Sequence, residues 1–437
     1  MKNRIFRVLQ VLAVPFKLLL LAVPAVALMV YTNYSVDCSG LFQGDLSNRT
    51  VVELLLDGQN VSCLSQMDQR AVAELYIQLQ PAESVPETAV LGSSRVMQLG
   101  SWLQGTTVYN YGVTGGSYRD TMNLFYLLDQ YEKLPQRVLL GIDPWLFRAD
   151  ALDKRTNNDL YEEMLAVALG QDTGYVPAEP GRFYRLCDSL VQRATRNERS
   201  LASLHITDAT LPALFEPAYF QGNVQYYSRA SGGRAVTEDG EEIPFRAVSR
   251  AEMLANEDEI KCADGSIWYS WSFRNPTPDE SALAVWEQTV TFLYMSDYAA
   301  LETDQCRLFE QFVRYMQSRG VEVVFFLAPY HPTLYEYVST HDVEAHAGFF
   351  EIEPYVRAFA ARSGIQVVGS YDPNLLGLTG EDFFDGLHVR ESGIQKFFSG
   401  FDADGAALPG TEYDGVALCP LESEEEADPD AGPDDDA

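Results

Sequence analysis

The sequence predicts an α/β fold: a parallel sheet in the middle of three layers, flanked by helices, with a large insertion. Three observations carry this prediction. Short apolar segments at 88–91, 106–111, 137–142, 321–327 and 365–368 alternate with stretches of helical periodicity, the pattern of a parallel sheet covered by helices. Segment 137–142 is almost continuously apolar, as a strand buried on both faces is. Between 148 and 285 the alternation stops, over a stretch too long for a plain loop in a compact domain.

In chain order, the first 31 residues differ in kind from the rest. Lys2, Arg4, Arg7 and Lys17 lead into a stretch without charge from Leu18 to Val36, and no acidic residue precedes Asp37. Counted from Val8, with the Lys17 stem lying along the bilayer, the stretch is long enough for a membrane-spanning helix. The basic flank then places the amino terminus in the cytoplasm and everything after Tyr31 outside. Ala25-Val26-Ala27 also fits a signal-peptide cleavage site, but cutting there leaves an apolar Leu28-Met29-Val30 overhang, and the uncleaved anchor is the preferred reading.

Residues 32–85 read as a stalk or cap of short helices, with 65–80 the best helical segment. Strand 88–91 runs into Gly92-Ser93-Ser94-Arg95, and strand 106–111 is broken by Gly112, Gly115 and Gly116. Residues 118–132 have helical spacing, with Met122, Leu124, Phe125, Leu128 and Tyr131 on one face. After strand 137–142, residues 148–285 form an inserted subdomain of polar helices, turns and aromatic clusters, among them Tyr226-Tyr227 and Trp268-Tyr269-Ser270-Trp271. The α/β domain, begun at 86–147, resumes over 286–410: a helix spanning about 284–319, strand 321–327, helix 353–362, strand 365–368 and a last helix at 391–398.

The formal charge of -32, from 31 basic and 63 acidic residues, argues against nucleic acid or anionic lipid as a ligand of the soluble part. Part of that charge is a tail: from Leu421 to Ala437 nine side chains are acidic and none basic, which predicts a solvated, disordered segment over 420–437. A metal-collecting tail, or salt adaptation of the whole chain, fits the same composition. Six cysteines follow the anchor, an even number in a compartment that permits disulfides, with Cys38 and Cys63 the favoured pair. Cys187, Cys262, Cys306 and Cys419 pair in some other way or remain thiols. No Cys/His spacing suggests zinc, so no metal and no cofactor is expected.

Three motifs carry chemistry. Gly92-Ser93-Ser94 ends a strand, where the crevice of an open α/β sheet lies, and a helix starting there directs N–H groups toward a developing oxyanion. Taken alone it fits a helix N-cap as well. In Asn110-Tyr111-Gly112-Val113-Thr114-Gly115-Gly116 the glycines let backbone N–H groups approach a ligand, although a flexible turn needs the same residues. No G-x-G-x-x-G pattern supports a dinucleotide site. In Asp385-Gly386-Leu387-His388 the carboxylate can hold one imidazole nitrogen and leave the other as a base. Only five histidines are present (His205, His331, His341, His346, His388), so this placement is informative.

In their order and setting these motifs resemble the SGNH/GDSL hydrolase superfamily: strand then Gly92-x-Ser94, strand then Asn110-x-x-x-x-Gly115, and a late Asp385-x-x-His388 before a final helix. The resemblance covers roughly 86–147 and 320–402. It implies a flavodoxin-like strand order, Ser94 as nucleophile, His388 as general base, Asp385 as its orienting partner, and the N–H groups of Ser94 and Gly115 as oxyanion hole. A Gly-Ser-Ser site behind one membrane anchor is also loosely similar to the D-alanine-transfer and polysaccharide O-acetylation proteins of bacterial envelopes.

Two positions depart from the family. Ser93 stands where an Asp usually precedes the nucleophile, and Gly141-Ile142-Asp143 replaces the usual Gly-Asn-Asp. The side-chain amide donor to the oxyanion is therefore missing at Ile142, a loss on the order of a hundredfold in rate unless another group substitutes. Asn110, Arg95, Tyr330 and His331 are the candidates for that donor, and Arg95, Tyr330 and His331 for substrate binding. Asp143 reads as a structural hydrogen-bonding group, and Trp268 and Trp271 as sugar-stacking or core residues.

The expectation is a membrane-anchored, extracytoplasmic serine ester hydrolase or O-acyltransferase acting on an envelope glycan, with a multi-pass acyl-transport protein as a conceivable partner. Its rivals are a small-ester esterase or lipase, and a non-catalytic binding or assembly subunit that keeps the fold.

Overall fold

The computed structural model describes residues 23–37, 42, 46–62, 68–101, 103–104, 106–148, 158–175, 180–204, 206–208, 210–229, 246–254, 259–291, 298–341, 343–398 and 417–418. The amino-terminal basic flank, Cys38, Cys63, Cys419 and the acidic tail therefore lie outside the described residues. The chain forms two compact units, one of 1–54, 66–76 and 176–246, the other of 55–65, 77–175 and 247–437. The stretch 148–285 is shared: 176–246 belongs to the first unit and both flanks to the second.

The second unit is mixed α/β. Strands β1 (Thr88–Leu91), β2 (Val108–Asn110), β3 (Arg137–Gly141), β4 (Glu322–Leu327) and β5 (Gln366–Gly369) form a wholly parallel sheet in the order β5-β4-β3-β1-β2. In chain order this is 2-1-3-4-5, so the connections change direction between β1 and β3, where the crevice of such a sheet opens. The register aligns Leu91 with Leu140 and Gly141 with Phe326, so these three strands end at nearly one level. Apart from the strand-end residues, β1, β3 and β4 are buried throughout, which is why they read as apolar runs.

Helices cover both faces. Phe325 and Phe326 are neighbours on β4 and so point to opposite sides. Phe325 lies 5.4 Å from Phe309 of α3 (Thr303–Ser318) and 6.2 Å from Phe359 of α5 (Ala347–Ser363), between ring centroids. Phe326 stacks at 5.8 Å on Phe398 of α6 (Glu391–Phe398), in a cluster with Val90, Leu139 and Val368. Each such side chain contributes roughly 1.5–3 kcal/mol by leaving water. Helix α1 (Tyr118–Gln130) begins at a capping box, in which Asp120 Oδ2 accepts the Ser117 N–H at 2.7 Å and Ser117 Oγ accepts the Asp120 N–H at 3.3 Å.

Several expectations are corrected. The single helix over 284–319 is two, α2 (Pro278–Thr291) and α3. The chain between them is held by tertiary bonds, Gly348 N–H to Tyr298 O at 2.9 Å and Glu302 N–H to Phe147 O at 3.3 Å, which engage groups a continuous helix would use itself. The helix at 353–362 starts earlier, at Ala347. Helix α4 (Pro332–Thr340) goes beyond the expectation and begins with Pro332 after His331 as cap. The supposed stalk of helices contains a strand, Asn60–Ser62, which pairs antiparallel with Ile260–Lys261, itself paired with Ile267–Trp268.

The turn of that last hairpin lies on the edge of β2, with the Asn110 N–H donating to Asp264 O at 2.8 Å. Lys261, 4% exposed, reaches Asn110 O at 3.4 Å, and burial lowers its ammonium to about 8 despite the opposing pull of Asp264. The folded value lies below the unfolded one near 10.5, so folding carries the full penalty below pH 8 and stability recovers between about 8 and 10.5. Lys261→Met is therefore expected to stabilise the protein at neutral pH by about 1–3 kcal/mol and to flatten that alkaline rise, as thermal melts across pH would record.

In the first unit a helix over 23–36 packs with Arg182–Ala194 and Pro217–Arg229. Its Asn33 is fully buried and donates to Ala213 O and Leu214 O at 3.0 and 3.1 Å, while its own Oδ1 accepts from Asn223 at 3.1 Å. Among the described residues no helix is long and apolar enough to cross a membrane; of the expected anchor, only 23–31 is described. Cys187, Cys262 and Cys306 are free thiols, and burial raises Cys262 to about 12.

Candidate active site

The site forms at the carboxyl ends of β1, β3 and β4, beside the change of direction in the sheet. After Leu91 the chain turns at Gly92, whose φ of 154° suits glycine and where a Cβ would sit 3.1 Å from both Val96 methyls. It then enters one 3-10 turn, Ser94–Val96. Ser93 is the cap of that turn: its Oγ accepts the Arg95 N–H at 3.2 Å, and it is 1% exposed. Ser94 is the partly exposed residue of the turn. The choice between the two serines is thus decided by direction: Ser93 points into the protein and Ser94 out of it.

Asp385 and His388 lie on a tight loop before α6. Asp385 Oδ1 accepts the N–H groups of Leu387 and His388, both at 2.8 Å, an Asx-type turn that Gly386 permits. The same carboxylate accepts from His388 Nδ1, 2.9 Å from Oδ2. Because it can only accept, Nδ1 carries the proton and Nε2 is left to receive the Ser94 hydroxyl, 2.9 Å away. Three residues that the sequence pairs only by motif thus form one chain of hydrogen bonds across 294 positions.

Gln288 of α2 completes the chain without any sequence signal. Its Nε2 donates to Asp385 Oδ2 at 3.0 Å and its Oε1 accepts the Gly386 N–H at 2.6 Å, so one side chain holds both the carboxylate and its loop. Burial alone would raise the Asp385 carboxyl; the charge and hydrogen bond of His388, with those of Gln288 and the Leu387 N–H, outweigh it and hold the group well below the usual carboxylate range. Gln288→Ala is expected to lower kcat by on the order of 10- to 100-fold with a smaller change in KM, since it loosens the imidazole rather than the substrate; steady-state ester kinetics test this. Tyr269 and Phe273 were also not placed at the site by motif. Their rings lie 5.9 and 6.4 Å from the His388 ring and wall one side of it.

The other sequence candidates divide. Gly115 occupies a left-handed turn, φ 59°, and at Gly116 a Cβ would lie 2.9 Å from Gly92 O and 3.0 Å from Ser93 Cα. The glycine turn is thus packed on the strand end that carries Ser94. Asn110 does not serve as an oxyanion donor: its amide donates to Val96 O and Leu99 O, both at 2.7 Å, and its Oδ1 accepts the Gly112 N–H at 2.7 Å. It is fully buried and ties the loop after Ser94 to the glycine turn. Ile142 is buried, so an apolar side chain fills the place expected for a donor.

Arg95 is likewise structural. It is 2% exposed and donates to Asp143 Oδ1 at 3.1 Å, to Pro329 O at 3.0 Å, to Ala328 O and to Leu387 O at 3.4 Å. Its guanidinium lies 3.9 Å over the ring of Tyr330, which is itself buried. One cation therefore ties together the ends of β1, β3 and β4 and the Asp385–His388 loop, and neither Arg95 nor Tyr330 reaches a substrate. Burial raises the Asp143 carboxyl, with Arg95 and Ser93 pulling it back, in keeping with the structural role expected of it. His331 caps α4 through Nδ1, which accepts the Thr333 N–H at 3.1 Å, and its Nε2 abuts Gly380. Burial lowers its imidazole, in keeping with an Nδ1 that accepts as a helix cap. Trp268 donates to Met253 O at 3.0 Å under the guanidinium of Arg274, whereas Trp271 is 47% exposed.

The arrangement supplies an activated hydroxyl, an oriented base and a glycine turn beside them, the parts needed for acyl transfer through a covalent intermediate. Among the described residues no cluster of three His, Cys, Asp or Glu side chains stands ready to hold a metal ion. No protein-family model matches this chain, and no curated protein sequence matches it.

Proposed function

We propose that the protein is a membrane-anchored, extracytoplasmic serine ester hydrolase or O-acyltransferase of the SGNH type, acting on acyl-bearing envelope glycan. The observation that carries this reading is the unbroken chain from Ser94 Oγ through His388 to Asp385 and Gln288. Ser94 Oγ attacks the acyl carbonyl while His388 Nε2 takes its proton. The resulting oxyanion is held by the N–H groups of Ser94 and Gly115. The C–O bond to the leaving alcohol then breaks as His388 returns the proton to that oxygen. Water or a sugar hydroxyl, deprotonated by the same imidazole, attacks the acyl-Ser94 carbonyl; the acyl–Oγ bond breaks, His388 returns the proton to Ser94 Oγ, and the acid or the new ester leaves. The glycan assignment rests on the outer-surface location that the anchor implies and on exposed Trp271 as a stacking surface.

A buried Ile142 and a committed Asn110 leave the oxyanion to backbone donors, which favours slow turnover or a restricted acceptor over rapid hydrolysis of any ester. The same two residues favour, as a second reading, an assembly subunit that keeps the fold without turnover. A serine-directed fluorophosphonate separates the readings: labelling that disappears in Ser94→Ala supports the enzyme, and a folded chain that never labels leaves the assembly subunit. Comparing release of an acyl group from a reporter ester with its transfer to an added sugar then distinguishes transferase from small-ester esterase.

A further inference from the structure

We propose that helix Arg182–Ala194 of the first unit is a membrane-surface site that rests on anionic phospholipid headgroups. This extends the anchored location proposed above and rests on it. The helix carries two neighbouring apolar stripes. Tyr184, Cys187 and Val191 join the core cluster with Leu201, Ile206, Leu211 and Leu214. Phe183, Leu186 and Leu190, spaced i, i+3, i+7, face outward and are 54%, 58% and 55% exposed. Phe215 continues that patch, its ring 5.9 Å from Phe183 and 38% exposed.

The charge beside the stripe runs against the rest of the chain. Arg182, Arg185 and Arg193 on the helix, and Arg196 and Arg199 just after it, are all exposed, in a protein with twice as many acids as bases. The helix's one acid, Asp188, is turned to structural use, accepting the Leu201 N–H at 2.7 Å. An exposed apolar stripe edged by arginines is the pattern of a helix lying in the bilayer interface. The net-charge argument against anionic lipid weighs the whole soluble part, whereas screening confines each charge's influence to about a Debye length, roughly 8–10 Å, so the arginines set the local field at this face.

Position selects lipid over another protein. Val30 and Tyr34 of the helix over 23–36 pack into the same cluster as Tyr184, Cys187 and Val191. Tyr31 is where the apolar segment ends, and Val30 to Tyr34 spans only about 6 Å of helix axis. A helix packed against that short span lies at the depth of the headgroups.

The test uses the full chain in vesicles of phosphatidylcholine and phosphatidylglycerol with brominated acyl chains. All five tryptophans lie outside the first unit, so Leu186→Trp adds a local reporter, Phe183→Trp repeats the reading if that variant does not fold, and Val26→Trp reports on the anchor. The extra emission of Leu186→Trp is expected to fall at least about twofold on the brominated vesicles, and much less with Arg182→Glu, Arg185→Glu and Arg193→Glu combined or with phosphatidylcholine alone. Quenching at 26 without quenching at 186 or 183 overturns the surface site and leaves the anchor standing. Quenching at neither overturns both. If the Leu186→Trp chain elutes as a dimer, its extra emission unquenched by lipid and shielded from acrylamide, the stripe belongs to a second copy and the proposal is likewise overturned.

Discussion

Ser94→Ala is expected to abolish fluorophosphonate labelling and to lower turnover of a reporter ester by on the order of 10⁴-fold or more, with the thermal midpoint unmoved. The size follows from the loss of the covalent route: without Oγ, His388 Nε2 has no hydroxyl to deprotonate at 2.9 Å. The stability is unmoved because Ser94 is partly exposed and caps nothing, whereas Ser93 does both jobs of a structural serine. Ser93→Ala therefore makes the complementary experiment. It removes a cap and a neighbour of buried Asp143, costing about 0.5–2 kcal/mol, while labelling persists. If labelling followed Ser93 instead, the assignment of nucleophile would be wrong.

Arg95→Ala is expected to destabilise the second unit by about 3–5 kcal/mol in urea or thermal unfolding. The pair it breaks is buried on both sides, with side-chain exposures of 1% for Arg95 and 4% for Asp143. Removing the cation leaves an uncompensated carboxylate and two carbonyls, Ala328 O and Pro329 O, without their donor. Arg95→Lys rescues little, because an ammonium cannot lie flat over Tyr330 and reach strand ends on both sides. The double variant Arg95→Met, Asp143→Leu should recover much of the loss, since it leaves no buried charge unpaired. Reporter-ester turnover is expected to fall in all of them, because Arg95 also binds Leu387 O, one residue before His388.

Much of this was legible in the chain. The apolar runs at β1, β3 and β4 are sequence-visible because strands of a parallel sheet are buried on both faces and admit little else. Asp385 and His388 were legible because their interaction is local: an Asx turn needs only the intervening two residues to fold. Helix α1 was legible in the helical spacing of Met122, Leu124, Phe125 and Leu128, while its Ser117–Asp120 capping box emerged only in the structure.

What only the tertiary structure decided concerns contacts made at a distance. Arg95, Tyr330 and His331 have the chemistry of binding groups, and nothing in their neighbours along the chain shows that strand ends and a helix cap already claim them. Asn110 has an amide like any other until two carbonyls take both its donors. Gln288 is an ordinary residue of a polar helix until α2 brings it to Asp385, 97 positions away. The sequence by itself determined the residue types, the strands of the parallel sheet and the local turn that carries Asp385 and His388. Which polar groups remain for chemistry depends on which buried donors and acceptors must first be satisfied, and that is settled only when distant segments share one interior.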